Sequence, residues 1–270
     1  MNASGETRET GKSVLAVNGS PRRGGNTARV LDILSERLEG MDVSVDRLEL
    51  STARVEPCRG CRLCFDRGED ACPQHDDVLS IRDRILAADA MLLATPVYVN
   101  DVSGTMKNLI DRLAFVCHRP AFTTTPVAVV ATTGGTPARH ALRTLEVAVL
   151  SWGSQTVARA AFATGALSSQ EEIAGRYAGE LDKTAGRLRA AVVNPPHHNP
   201  SFVSLMTFAI QQSSWRQIAE TEGGDTVDAR YWRENGWFDR TTTYYVRHAA
   251  SAAKTGAARS VARVVARMFG

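Results

Sequence analysis

Five short apolar runs separated by helix-length stretches constrain this chain more than any other feature. SVLAVN (residues 13–18), VSVDRLEL (43–50), AMLLATP (90–96), PVAVVATT (126–133) and QTVARAAF (155–162) have strand length, not helix length, and lie among Gly, Pro, Asn and Asp. The stretches GNTARVLDILSERLEG, DDVLSIRDRILAAD, SGTMKNLIDRLAFV, PARHALRTLEVAVLSW and SQEEIAGRYAGELDKTAGRLRAAVV repeat apolar residues at helical spacing. Strands alternating with helices predict a parallel α/β sheet covered on both faces, because each crossover connection lays its helix across a face. Five strands within residues 13–195 fit a doubly wound domain, in which ligands bind at the carboxyl ends of the strands where the strand order reverses.

The segment NPPHHNP (194–200) carries three prolines that stop a helix and marks the end of that domain. Residues 196–270 hold ten of the seventeen aromatic side chains, too much apolar surface to leave in water. They are expected to form a mainly helical C-terminal extension packed on the domain or on a partner subunit. The first twelve residues are polar, with no apolar core of a leader peptide, and are expected to be flexible. No apolar run reaches membrane-spanning length, so the reading is a soluble, cytoplasmic protein.

A net charge of +3 does not call for a nucleic-acid partner. The excess lies wholly after residue 195, and from Thr241 onward there are five Arg or Lys and no Asp or Glu. Arg259, Arg263 and Arg267 fall on one face of a final helix, opposite Val261, Val264, Val265 and Met268. The expectation is a solvated basic face on a helix docked to its own domain, rather than a membrane-surface helix.

Three loops at strand ends carry binding chemistry. NGSPRRGGNT (18–27) joins a strand to a helix start with hydroxyls, arginines and free amides, the ingredients of a phosphate cradle. Ser20, Asn26 and Thr27 supply hydrogen bonds, and Arg22 or Arg23 supplies charge. TPVYVNDVSGTMKNLIDR (95–112) brings an aromatic and amides to the end of the third strand, which suits a planar heterocycle. TTGGTP (132–137) follows the fourth strand with paired glycines that allow close backbone approach. His75, His118 and His140 are read as surface or structural residues, and Cys117 as core.

Cys58, Cys61, Cys64 and Cys72 lie in PCRGCRLCFDRGEDACPQHDD with spacing C-x2-C-x2-C-x7-C. Reduced thiols so clustered read as metal or redox ligands before a disulfide framework. The compact triple favours an iron-sulfur cluster; zinc, or a metal-free loop shaped by its cysteines, are the other readings.

GSPRRGGNT, PVYVNDVSGTMKNLIDR and TTGG together resemble the loops of the NAD(P)H-dependent FMN reductase family, with its flavodoxin-like fold of strand order 2-1-3-4-5. That resemblance covers roughly residues 13–190. It implies FMN held at its phosphate by Ser20, Arg22, Asn26 and Thr27, and around its ring by Pro96, Val97, Tyr98, Val99, Asn100, Thr133 and Gly134. The flavin then carries the chemistry, so no catalytic side chain is required. The cysteine stretch is similar to that of the iron-sulfur flavoprotein subgroup. This implies a 4Fe-4S cluster on Cys58, Cys61, Cys64 and Cys72 beside the flavin. PSFVSLMTFAIQQ and YWRENGWFDRTTTYY resemble a C-terminal extension from the same neighbourhood. The expectation is an FMN-dependent oxidoreductase passing electrons from NAD(P)H or a reduced carrier to a small-molecule or protein acceptor, such as a ferredoxin-like carrier. A homodimer or homotetramer is expected. A cluster-free NAD(P)H:FMN or quinone reductase is the enzymatic alternative, and a non-catalytic electron carrier or redox sensor the alternative of another class.

Overall fold

A computed structural model describes residues 11–194, 198–221 and 223–269; residues 1–10 of the N-terminal segment lie outside it. Its sheet has five strands: β1 (Ser13–Asn18), β2 (Ser44–Glu49), β3 (Ala90–Pro96), β4 (Val127–Thr133) and β5 (Thr156–Ala163). All adjacent pairs are parallel, and the order is β2-β1-β3-β4-β5, the flavodoxin-like order. The chain steps from β1 out to β2 and returns across β1 to β3. The order therefore reverses between β1 and β3, and both strands end at that crevice.

Strand position explains the side-chain pattern. β3 and β4 are buried at every residue because helices cover both their faces, whereas β2 and β5, at the edges, alternate. One face carries α1 (Asn26–Glu39), and on it lie two further helices described below. The other carries α2 (Leu63–Asp66), α3 (Val78–Ala87), α4 (Gly104–Arg112), α5 (Ala114–His118) and α6 (Arg139–Ser151). Val17, Met91, Leu93, Val129, Met106, Leu109 and Leu145 build the core on this second side. Ala16, Leu92, Val130, Leu31, Leu34 and Leu188 build the first.

Two stretches that read as single helices are each broken once. Residues 103–116 split at Leu113, whose backbone leaves helical geometry (φ −90°, ψ 17°) and whose side chain is fully buried. The turn sends Phe115 and Val116 into the core. Residues 169–193 split at Tyr177 into α7 (Gln170–Arg176) and α8 (Ala178–Val193). The Tyr177 hydroxyl donates to the Ala163 carbonyl at 2.7 Å, and its ring packs edge-on against Phe162. Gly175 and Gly179 flank the break, each costing a continuous helix about 1 kcal/mol relative to Ala.

After the prolines, α9 (Phe202–Ala219), α10 (Val227–Glu234) and α11 (Ala252–Phe269) pack around an aromatic cluster of Phe208, Trp232, Trp237, Tyr244 and Tyr245. This unit hydrogen-bonds to the sheet domain near α5. Trp232 Nε1 donates to the His118 carbonyl at 2.8 Å, Gln211 Nε2 to Cys117 O at 2.7 Å, and Tyr231 OH to Pro120 O at 3.0 Å. The final helix differs from its expected orientation. Its buried residues are Thr255, Ala258 and Ala262, whose small side chains let α11 lie close on α9, while Val261 and Val264 face solvent. The side chains of Arg267 and Met268 lie outside the described residues. Among the described residues no helix is long and apolar enough to cross a membrane.

Candidate functional site

The loop after β1 is fixed by main-chain contacts. Gly19 N donates to the Ala94 carbonyl at 2.7 Å, and the Gly19 carbonyl accepts from the hydroxyls of Ser103 and Thr105 at the start of α4. A Cβ on Gly19 would lie 2.7 Å from Met106 Cε and 3.0 Å from Ala94 O, so only glycine allows β1 and α4 to close up. Ser20 is buried; its amide donates to Asn18 Oδ1, and its hydroxyl both donates to the Arg22 carbonyl and accepts from the Arg22 amide. Arg22 and Arg23 are exposed at the loop's rim. Gly25 caps α1 without a side-chain acceptor, and the first turn holds no acidic residue. The opening amides of α1 therefore keep their partial positive charge for an anion.

Asn26 and Thr27 are buried and already engaged. Asn26 Nδ2 donates to Thr164 Oγ1 at 2.7 Å and to Gly165 O, and its Oδ1 accepts from Ser168 N. Thr27 Oγ1 lies 2.6 Å from Thr132 Oγ1 at the end of β4. These two side chains tie the first loop to the loops after β4 and β5. Thr132, Thr164 and Ser168 were missed as supports because their links span more than a hundred residues.

The loop after β3 forms a tight turn. Tyr98 and Asp101 exchange backbone hydrogen bonds of 2.8 and 3.0 Å, with Val99 (φ 50°) and Asn100 (φ 65°) both left-handed between them. Pro96 is buried, Val97 is half-buried, and Tyr98, Val99 and Asn100 face outward. A β-branched residue in this region is strained, and Val99 is fully exposed as well. Asp101 anchors the turn by accepting from Thr144 Oγ1 on α6 and from its neighbour Val102 N, both at 2.7 Å. Partial burial raises the Asp101 pKa, but these hydrogen bonds and the nearby His140 outweigh it, and the carboxyl sits below its ordinary range. After β4, Thr133 Oγ1 donates to the Thr136 carbonyl and accepts from Gly135 N, leaving Gly134 exposed at the surface. The three predicted loops thus lie at the ends of β1, β3 and β4, flanking the crevice.

The cysteine loop leaves the end of β2 and closes on itself. Arg54 N donates to Asp77 Oδ2 and Asp77 N to the Arg54 carbonyl, Glu56 N donates to Asp76 Oδ2, and Gln74 Nε2 donates to Pro57 O. Between these ends Gly60 (φ 63°) and Gly68 (φ 98°) take left-handed turns. Cys58, Cys61, Cys64 and Cys72 are all unbridged and line one cavity of about 330 Å³, backed by Phe65, Leu79 and Phe115. Among the described residues no three His, Cys, Asp or Glu side chains converge on one point that would hold a single metal ion. The thiols interact nonetheless. Burial, then the neighbouring Cys72, Cys58 and Cys61 thiols, push Cys64 up against the pull of Arg119.

Side chains from three helices clamp this loop. Arg112, at the end of α4, forms a buried two-pronged ion pair with Asp76, with side chains 4% and 1% exposed. The same guanidinium donates to the Glu56 carbonyl at 2.8 Å and reaches Cys72 Sγ at 3.6 Å. Burial disfavours both charges, yet their pairing prevails: Asp76 sits below the usual carboxylate range, and Arg112 above its ordinary value. Arg119, just past α5, donates to the Cys64 carbonyl at 2.8 Å, to Glu69 at 2.9 Å, and to the buried Asp228 of α10. His118 shares Asp228 at 2.8 Å and stacks on Phe65. Asp76 stood in plain view in the CPQHDD stretch, but its partner lies 36 residues away. Cys117 is half-buried beside this network, and burial pushes its thiol up to about 11, the state of an inert packing thiol.

A flavodoxin-like sheet with three loops at its switch point defines a class of nucleotide-cofactor-binding α/β proteins. The NADPH-dependent FMN reductase family profile matches residues 13–167, more than half of the chain, and the chain belongs to that family. An iron-sulfur flavoprotein of Archaeoglobus fulgidus is 36% identical over 106 residues, 39% of this chain and 47% of the relative. An NADPH azoreductase of a Bacillus species is 29% identical over 124 residues, 45% of this chain and 59% of the relative. The chain spans about half the length of the curated relatives it matches. Among solved structures, a flavone reductase superposes with a TM-score of 0.54 at 15% identity, covering 68% of this chain and 64% of the other. That likeness is one of fold.

Proposed function

We propose that this chain is an FMN-dependent oxidoreductase that takes electrons from NAD(P)H or a reduced carrier and delivers them to a small-molecule or protein acceptor. The observation that carries this reading is the meeting of the loops after β1, β3 and β4 at the strand-order reversal, with the uncapped start of α1 among them. The FMN phosphate would sit on the α1 amides, with Ser20 and Arg22 beside it. Asn26 and Thr27 would hold that cradle against the neighbouring loops through the hydrogen bonds they make. Pro96, Val97, Tyr98, Val99 and Asn100 would border the ring on one side, and Thr133 and Gly134 on another. When bound, FMN supplies the redox chemistry, exchanging a hydride with the nicotinamide and electrons with the acceptor.

The same reading gives the four cysteines a 4Fe-4S cluster. The four thiols line one cavity with Phe65, Leu79 and Phe115, and their compact C-x2-C-x2-C spacing favours an iron-sulfur cluster over a single zinc ion. Gly60 N reaches Cys58 Sγ at 3.5 Å and Arg112 reaches Cys72 Sγ, so two donors face sulfur, contacts that would tune a cluster's potential. When bound, the cluster supplies one-electron transfer. α4 starts at the proposed ring loop and ends at the cysteine cavity; nine residues make it roughly 13 Å long. One observation favours a cluster-free reductase as the second reading: Asp76, Asp77, Arg112 and Arg119 hold the cysteine loop through protein contacts of their own.

Anaerobic purification followed by measurement of flavin, iron, acid-labile sulfide and zinc on one sample tests both readings. Bound FMN with iron and sulfide in equal amounts is the expected result. FMN without iron or sulfide, even after reconstitution, selects the cluster-free reductase, and absence of FMN affinity overturns both. Steady-state oxidation of NAD(P)H by quinones separates an enzyme from an electron carrier, which would exchange electrons only with a protein partner.

A further inference from the structure

The arginines of the C-terminal unit form a second constellation, remote in sequence from the flavin loops. Arg216 on α9, Arg240 in the turn before Tyr244, and Arg259 and Arg263 on α11 line one cleft of about 600 Å³, with Ser213 and Gln217 on its wall. None of the four forms an ion pair with a carboxylate among the described residues. Arg216 donates to the Phe238 carbonyl, Arg259 to the Arg240 carbonyl at 2.9 Å, and Arg263 to Ser260 Oγ at 3.1 Å. A guanidinium has five N–H donors, so most remain available to the cleft. Glu220 also lines the cleft, and Asp239 lies near Arg216, with its Oδ1 accepting from the amide and hydroxyl of Thr241.

Gathering four positive charges has a cost that Asp239 and Glu220 relieve only in part. Arg216 and Arg259 are half-buried. Burial, then repulsion from Arg240 and Arg259, lowers the proton affinity of Arg216, against weaker support from Asp239 and Glu220. The fold bears this cost on three elements that meet only in the tertiary structure. The docking of α11 through Ala258 and Ala262, leaving Val261 and Val264 in solvent, turns Arg259 and Arg263 toward α9.

We propose that this cleft binds a phosphorylated small molecule through its phosphate group. Guanidinium forks match phosphate oxygens in a bidentate manner, and two or more of them on concave walls favour a dianion over a chloride or a carboxylate. The concavity favours a soluble ligand over a headgroup held in a flat lipid surface. The site is separate from the proposed FMN phosphate cradle at α1 and does not depend on it.

The test titrates inorganic pyrophosphate and inorganic phosphate into the full chain, with FMN in excess to saturate any flavin site, by calorimetry. Saturable pyrophosphate binding that weakens with added salt is expected. Arg240→Gln/Arg263→Gln, at exposed positions, should weaken it by about tenfold or more. Arg230→Gln/Arg233→Gln removes two exposed arginines of α10 that pair with Asp225, and should leave binding unchanged. If Arg240→Gln/Arg263→Gln proves unstable, Arg259→Gln alone should give the same loss in direction. Absence of saturable binding, an equal loss in the α10 variant, or binding only to vesicles of anionic phospholipid would overturn the proposal.

Discussion

The loops after β1 and β2 leave neighbouring strands, yet they are held by opposite means. The first is fixed by main-chain hydrogen bonds and hydroxyls close to the sheet: Gly19 to Ala94, Leu50 to Asn18, and Ser103 and Thr105 to Gly19. The second leans on buried charge from three helices, with Asp76 on Arg112, and Glu69 and Asp228 on Arg119. Backbone contacts of the first kind come with the sheet. Ion pairs of the second kind must be complete, because a buried charge that loses its partner costs far more than the pair contributes. The cysteine loop is therefore held chiefly through charged contacts made by Asp76, Glu69 and the Cys64 carbonyl with Arg112 and Arg119.

The sharpest way to break the contrast is Arg112→Ala, which strands Asp76 in the interior. A loss of about 3–5 kcal/mol in urea denaturation is expected; a loss below about 1 kcal/mol would show that the charge clamp does not hold the loop. On the backbone-held side, Gly19→Ala forces a methyl against Met106 and Ala94 O and should cost about 1–3 kcal/mol by the same measurement, with weaker FMN binding.

A pH comparison sharpens the difference further. Asp76 and Asp101 both have folded pKa values below the ordinary range, so each contributes stability that is complete above the unfolded value near 4 and disappears as pH falls through the depressed folded value. Comparing urea midpoints between about pH 6 and about pH 3, Asp76→Asn should flatten the acid loss more than Asp101→Asn. The Asp76 side chain is 1% exposed and that of Asp101 40%, which is the reason for the ranking. The smallest change is expected at Val99→Gly, which removes left-handed strain from an exposed turn and should raise stability by about 1 kcal/mol, read as a higher melting temperature. An unchanged or lower melting temperature would mean that the strain is relieved elsewhere or that Val99 makes contacts in an assembly.

The strands were legible because they rest on local patterns: short apolar runs for β3 and β4, and small residues with Gly at Gly19 and Gly134 where strands end, whereas the strand order came only from the resemblance of the loops to a known family. The breaks at Leu113 and Tyr177 were not read from the sequence, since helical periodicity continues through both; the packing of Leu113 interrupts the first, and the reach of Tyr177 to Ala163, between Gly175 and Gly179, the second. Asn26 illustrates the same limit at the candidate site. Its residue type announced a hydrogen-bonding role, but its engagement with Thr164, Gly165 and Ser168 depends on β5 ending beside α1. The direction of α11 was misread for a related reason. Valines outrank alanines in apolarity, but only small side chains permit the close approach of two helices, so Ala258 and Ala262 face inward.

What the amino-acid order determined by itself was the sheet of alternating strands and helices, the placing of three loops at strand ends, and a compact group of four thiols. These follow from spacing and from the conformational range of single residues. Tertiary structure alone decided that the thiols share one cavity, that Arg112 reaches the Cys72 sulfur and Arg119 the Cys64 carbonyl from distant helices, and that four arginines of the last unit face one cleft. The physical reason is range: backbone preference acts within a few residues, whereas buried charges find their partners only after the chain has brought distant helices together.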